Sequence, residues 1–366
     1  MDTRDQVDLF TITSGSLPDS AAVLAFRSSE GISRLYQYEV LLTIPSADAA
    51  EFDPEAAVLG RATLLVMKHD STVREAHQGV LASVEFLRDH ADDSVYRVVL
   101  VPEVWRLTLS RHSRVFTDQV APSSIPDIIK YILLENGIPA KAWDFRLNRN
   151  YPALLHTTQY KESDWDFIAR LLEREGIAFF FQHPEEGPEK IIFCDNRAQM
   201  PKAPTGPVRF YPAGDDGGQA ESMEVWRGRH AAIPSRYKTR DYDYLLPGTY
   251  EMEESTGAPG QETVVAWGDG SYDDPARRDA VNRNGDLQSR RTVFHGKGRL
   301  FSLSPGFSFT LEDHPRNPYN QAYLITEVER RGNQFASHPA LARAMGFSDD
   351  RTWVVEGLPL MLIAAG

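Results

Sequence analysis

The sequence predicts a mainly β protein of the α+β class, built as two tandem small β-barrels with an α/β insert between them. Three observations carry this. Short alternating apolar runs bounded by turn residues fill the first hundred positions. Two well-capped helical stripes lie between 106 and 200. Strand-like runs then return from Met223 to Val328.

In chain order, Leu9–Ile12, Tyr38–Leu42 and Ala62–Met67 read as strands, and Gly79–Leu87 with Ser94–Val101 read as a hairpin about the turn Asp89–Asp93. Closing such strands into a barrel removes exposed edges. Residues 1–105 are therefore expected to form the first barrel. Ser124, Pro126 and Asp127 open a helix whose stripe is Ile128, Ile129, Ile132 and Leu133, and Gly137 stops it. A second helix is expected from Asp164 to Glu175, with Ser163 as its cap, Trp165, Ile168 and Leu172 on one face, and Gly176 as its stop. Ile177–Phe181 and Ile191–Phe193 follow as buried strands, so 106–200 reads as the α/β insert. The Pro- and Gly-rich segment 201–222 reads as a linker returning to the first barrel. Residues 223–332 hold Met223–Trp226, Val264–Trp267, a polar helix near Pro275–Arg290, Leu300-Phe301, Phe307–Leu311 and Tyr323–Val328, and read as the second barrel. Residues 333–366 form an atypical tail.

With 366 residues, 42% hydrophobic and 25% charged, the chain has material for sizeable cores. A formal net charge of −13 with no basic run argues against nucleic-acid binding. The single cysteine, Cys194, excludes an intrachain disulfide and a Cys-based zinc site. The N-terminus lacks the basic and apolar regions of a secretory signal. The longest apolar run, Leu358–Ala365, is broken by Pro359 and falls short of the ~20 residues that span a bilayer, so no stable membrane insertion is expected.

The segment Tyr160–Phe181 carries Tyr160, Glu162, Ser163, Asp164, Phe167, Arg170-Leu171, Glu173 and Gly176 ahead of Phe179-Phe180-Phe181. This resembles the signature of the VgrG family of type VI secretion spike proteins. Gly79–Val101 with Pro102, Trp105 and Leu107 is similar to the family's hairpin. Arg114–Phe116 and Ile125–Gly137 are similar to its next helix. Phe294-His295-Gly296, Pro305-Gly306, Leu311, His314-Pro315, Asn320 and Tyr323–Thr326 are similar to its second barrel. The resemblance covers roughly residues 7–329. It implies a phage tail hub-like fold whose three copies close a ring of pseudo-sixfold symmetry, seated on the hexameric Hcp tube. It further implies baseplate proteins, a needle or PAAR tip protein and effector cargo as partners. Assembly in the cytoplasm is expected, followed by secretion without a signal peptide. Residues 333–366 show none of the needle repeats of longer family members.

No catalytic, cofactor-binding or metal residue is expected. Glu162, Asp164, Asp166, Glu173 and Glu175 cluster in sequence, yet acids at a helix start answer to its dipole, and Glu173 can pair with Arg170 or Arg174. The ten histidines lack zinc-ligand spacing, and His314 beside Asp313 reads as a turn histidine. Cys194 ends a buried strand with no base beside it in sequence. Gly296-Lys297-Gly298 lacks the spacing of a phosphate loop. Phe179-Phe180-Phe181 reads as core. Two alternatives stay open: an envelope-degrading, muramidase-like enzyme on a hub fold, and an effector adaptor acting through the tail after Asn333.

Overall fold

The computed structural model describes residues 10–67, 74–184, 187–212, 221–243, 248–267, 275–300, 302–334 and 353–359. The first unit contains β1 (Phe10–Ser14), β2 (Ala22–Gly31), β3 (Arg34–Pro45), two short helices α1 (Ser46–Ala49) and α2 (Pro54–Ala57), β4 (Arg61–Met67), β5 (Arg74–His90) and β6 (Asp93–Val101). Period-two burial drives these strands inward: Tyr36, Tyr38, Val40, Leu42 and Ile44 of β3 and Ala62, Leu64 and Val66 of β4 are buried, while their neighbours are more exposed. The β5–β6 turn is tighter than the sequence suggested, because both strands extend to His90 and Asp93 and Ala91 takes a left-handed φ of 54°.

The insert adds β7 (His112–Thr117), α3 (Ile125–Glu135), β8 (Trp143–Arg146), β9 (His156–Glu162), α4 (Asp164–Glu175), β10 (Ala178–Gln182) and β11 (Lys190–Cys194). Ser124 caps α3 by accepting from the Asp127 amide, and Ser163 caps α4 by accepting from the Asp166 amide. Gly176 ends α4 with φ of 62°, a left-handed conformation glycine reaches without strain. The inner faces of α3 and α4 share one continuous apolar core with β1, β3 and β4.

The second unit holds β12 (Val208–Phe210), β13 (Ser222–His230), β14 (Arg236–Asp243), β15 (Gly248–Ser255), β16 (Thr263–Trp267), α5 (Pro275–Ser289), β17 (Thr292–Arg299), β18 (Ser308–Glu312), β19 (Ala322–Asn333) and β20 (Trp353–Pro359). Its core gathers Met223, Trp226, Phe294, Phe309, Leu311, Tyr323, Ile325 and Val328. Several sequence expectations are corrected here. The described residues of the segment 201–222, expected to lead back to the first barrel, place its three-residue strand β12 between β13 and β18. A strand that short, set among prolines and glycines, leaves no periodic signal. Val264–Trp267 lies outside the second ring and pairs with β14 in a separate sheet ordered β15-β14-β16. The tail supplies β20, which pairs with β17 and β19. Leu300 is buried just past the end of β17, and Phe301 falls outside the described residues, as does Leu9.

The main sheet runs β1-β4-β5-β6-β3-β2-β19-β18-β12-β13-β17-β20, and an additional β19–β20 pairing closes its last six strands on themselves. Counted in chain order within its own unit, each set of six reads first, second, third, sixth, fifth, fourth around the ring. Two of the irregularities coincide as well. The second strand slips register at Val23/Ala25 in one unit and at Met223/Val225 in the other. The fifth strand slips at Leu81/Ser83 and at Ile325/Glu327. Leu81 exchanges backbone bonds with Leu59 and Gly60, as Ile325 does with Gly306 and Phe307. The two units are thus the same ring built twice, a likeness their sequences showed only as two β-rich regions.

Among the described residues the β1–β2 step of the first ring carries no strand pairing, and β19 supplies its closure. Beyond its pairing with β18, β19 continues along β2 from Glu327↔Gly31 to Asn333↔Ala25. A Cβ at Gly332 would stand 2.4 Å from Phe26 and 2.7 Å from Phe10, so only glycine admits both rings there. The buried Gln334 side chain then accepts from the Phe10 amide at 3.2 Å and donates to the Phe10 and Val23 carbonyls at 2.9 and 2.6 Å. It replaces the missing ladder. Gln334→Ala leaves these backbone groups buried without partners and should cost about 2–3 kcal/mol. A lower urea midpoint with an unchanged slope checks it.

Candidate functional site

Two polar centres hold the architecture. The first lies at the start of α4. Asp164 is fully buried, and its carboxylate accepts from Gln159 Nε2 at 2.9 Å, Asn136 Nδ2 at 2.9 Å and Arg114 Nη2 at 2.8 Å, with His112 Nδ1 at 2.9 Å. These donors come from β9, the C-terminal end of α3 and β7, so one side chain ties three elements of the insert to α4. Burial alone would raise the Asp164 pKa, but the hydrogen bonds from Gln159, His112 and Asn136 and the charge of Arg114 outweigh it, and the net direction is down.

The other acids of this segment are dispersed. Glu162 pairs with Arg170 at 2.7 Å. Glu173 pairs with Arg283 of α5 at 2.8 Å, and not with Arg170 or Arg174 as its spacing suggested; the helix turns its side chain toward α5. Asp166 is exposed in the first turn, and Glu175 is buried at the last. Phe179 and Phe181 enter the first core, whereas Phe180 turns the other way, toward Phe307 and Gly306.

The second centre sits where the two units meet. Arg330 of β19 is fully buried and ion-paired to Glu30 of β2. Its guanidinium also donates to Tyr38 Oη at 3.3 Å and to the Leu303 carbonyl at 2.6 Å. Burial draws the Arg330 pKa down to about 9. Tyr38 donates to Glu30, and its oxygen meets His77 Nδ1 at 2.7 Å. Beyond His77 lies a cavity of about 530 Å³ whose lining includes His183, Lys141, Phe181, Ser302 and Phe307. His183 Nδ1 accepts from the Gln78 amide at 3.2 Å, and burial lowers its pKa to about 4. Both imidazoles are held neutral, His77 also by burial and then by its neighbour His183. Because the folded His183 pKa lies below the ordinary ~6.5, the unfolded chain takes the proton first. Stability should therefore fall as pH drops from about 6.5 toward 4, and His183→Gln should flatten that part of a Tm-against-pH curve.

The remaining candidates are structural in their contacts. His314 Nδ1 accepts from the Arg316 amide at 3.0 Å, its own amide donates to Asn320 Oδ1 at 2.8 Å, and its ring packs 4.3 Å from Phe210. Asp313 lies 3.6 Å from Arg209 instead. Cys194 is buried, and burial pushes its thiol up to about 11. Gly296-Lys297-Gly298 lies in β17 between β13 and β20; a Cβ at Gly296 would meet Trp226 at 2.5 Å, which explains that glycine by packing. Among the described residues no group of three His, Cys, Asp or Glu side chains could hold a metal ion, and no helix is long and apolar enough to cross a membrane. Arg330, Glu30 and Gln334 were not singled out by the sequence.

The profile of the phage tail baseplate hub (GPD) family matches residues 29–336. Among curated relatives, the type VI secretion system spike proteins VgrG1b and VgrG4b of Pseudomonas aeruginosa are 27% and 29% identical over 86% and 89% of this chain. The chain spans 42% and 39% of their lengths. The actin cross-linking toxin VgrG1 of Vibrio cholerae is 27% identical over 82% of this chain, which covers 27% of it. Among solved structures, an E. coli type VI secretion component, described as similar to the T4 bacteriophage tail proteins gp27 and gp5, aligns with a TM-score of 0.67 at 18% identity, covering 95% of this chain and 76% of that one. A prophage tail protein from Shewanella oneidensis aligns with a TM-score of 0.64 at 11% identity, covering 97% of this chain and 99% of that one.

Proposed function

The chain belongs to the phage tail baseplate hub (GPD) family, and from that premise we propose that it serves as the homotrimeric hub of a type VI secretion spike. Its task is mechanical. One face seats on the hexameric Hcp tube, the other carries the needle or PAAR tip and its cargo, and baseplate proteins hold the hub until sheath contraction ejects it. Assembly takes place in the cytoplasm and release follows the machine. The observation supporting this reading is the doubled ring: three copies of a chain with two rings of identical strand order present six equivalent β modules, which is the symmetry a hexamer requires. The acids of the signature segment, held by Arg114, Arg170 and Arg283, support a structural role over a hydrolytic one.

Light scattering on the purified chain should give three times the monomer mass of 41.2 kDa, and the same material should retain Hcp hexamers on a column. A monomer throughout the micromolar range would overturn the reading.

A further inference from the structure

The internal repeat specifies how one copy joins the next. Within the chain, the fifth strand of the second ring (β19) overhangs its fourth-strand partner β18 and lays Glu327–Asn333 antiparallel along the second strand of the first ring, Gly31–Ala25. The matching bulges equate Ile325 with Leu81 and Phe26 with Trp226. Carried over by this equivalence, the overhanging half of β5 and the second strand of the other ring, β13, are the counterparts of that junction.

Both are open edges. β4 pairs with β5 only from Arg74 to Val80, so Ser83–His90 overhangs it, hydrogen-bonded to β6 alone among the described residues. β12 pairs with β13 only at Ser222 and Met223, which leaves Val225–His230 bonded to β17 alone among the described residues. Long unprotected edges invite strand addition.

We propose that in the homotrimer Ser83–Asp89 of one copy pairs antiparallel with Ala231–Val225 of the next. The inference rests on the trimeric reading above and adds the surface that builds it. The intrachain register, Glu327↔Gly31 through Asn333↔Ala25, sets Glu85 opposite Arg229 and Phe86 opposite Gly228, just ahead of a second register shift of β5 at Phe86/Arg88. The chemistry of the two edges fits. Glu85 and Asp89 are exposed on one strand, Arg227 and Arg229 on the other. Phe86 is 51% exposed and stands where Arg330, fully buried, stands in the intrachain junction. Its partner Gly228 has no side chain, and a Cβ there would meet the Phe294 ring at 2.9 Å and the Tyr319 hydroxyl at 3.2 Å, so the aromatic ring is directed toward an aromatic wall with one polar edge. The junction repeats in geometry while exchanging a buried ion pair for a buried aromatic.

The test uses the full chain, whose native thiol Cys194 is buried and silent. E85C/R229C is oxidised, and treated separately with a short bis-maleimide, then run without reductant. Covalent dimers and trimers are expected from the double variant, and neither from E85C or R229C alone. In parallel, F86D should weaken trimerisation at least tenfold by light scattering, with far-UV circular dichroism unchanged. A double variant that is trimeric yet does not cross-link, or an F86D chain that stays trimeric at native concentrations, overturns this pairing while the trimer stands. A native chain that is monomeric overturns the trimer and the pairing together.

Discussion

Arg330→Ala should destabilise the protein by about 3–5 kcal/mol, the range for removing one partner of a buried ion pair. The substitution leaves Glu30 and Tyr38 buried with a charge no longer compensated, and it frees the Leu303 carbonyl that Arg330 holds at 2.6 Å. The cost arises from the stranded carboxylate more than from the lost attraction. Arg330→Met together with Glu30→Gln should therefore recover most of the loss, because a neutral pair of similar volume strands no charge. Urea denaturation of the single and double variants checks both values. Equal losses in the two would show that packing, and not the stranded charge, carries the effect.

Asp164→Ala is expected to cost a similar amount, about 3–5 kcal/mol, and to loosen the insert before the rings. Four donors converge on this one carboxylate from β7, β9 and α3. Asp164→Asn should cost less, since an amide oxygen still accepts while the charge facing Arg114 is gone. The pH dependence follows from the depressed folded pKa: this contribution is present above the ordinary carboxylate range and is lost as pH falls through the folded value. Hydrogen exchange should place the new opening at α3, α4 and the β7–β9 pair, with the amides of β3 and β6 still protected. Uniform loss of protection across both rings would contradict this.

How much was readable depended on whether a structural cause is local. Both ends of α4 were legible because Ser163 and Gly176 act on the backbone beside them. The burial of Phe179–Phe181 followed from the same stop signal. β2 was missed because its bulge at Leu24 breaks the period-two pattern that marks a strand. Arg330 sits in a run of Glu329, Arg330 and Arg331 that reads as a solvated surface, and its partner Glu30 lies at the opposite end of the sequence. Gln334 was assigned to the tail for the same reason: its three partner groups belong to the backbones of two residues, Phe10 and Val23, more than 300 positions away. Capping, period and turn chemistry survive in a single sequence; ring closure between distant segments does not.

The strand that completes the first ring lies about 300 positions after the strands it seals. Until Asn333 and Gln334 leave the ribosome, the nascent N-terminal half holds an unsealed seam between Phe10 and Val23 and an unclaimed flank on β2. Closure of the first ring must then wait for this distant segment, and it is expected to be slow, as for other topologies dominated by remote pairings. Truncation before Glu327 should yield insoluble chain, and co-expression of the missing segment should return it to the soluble fraction on a gel.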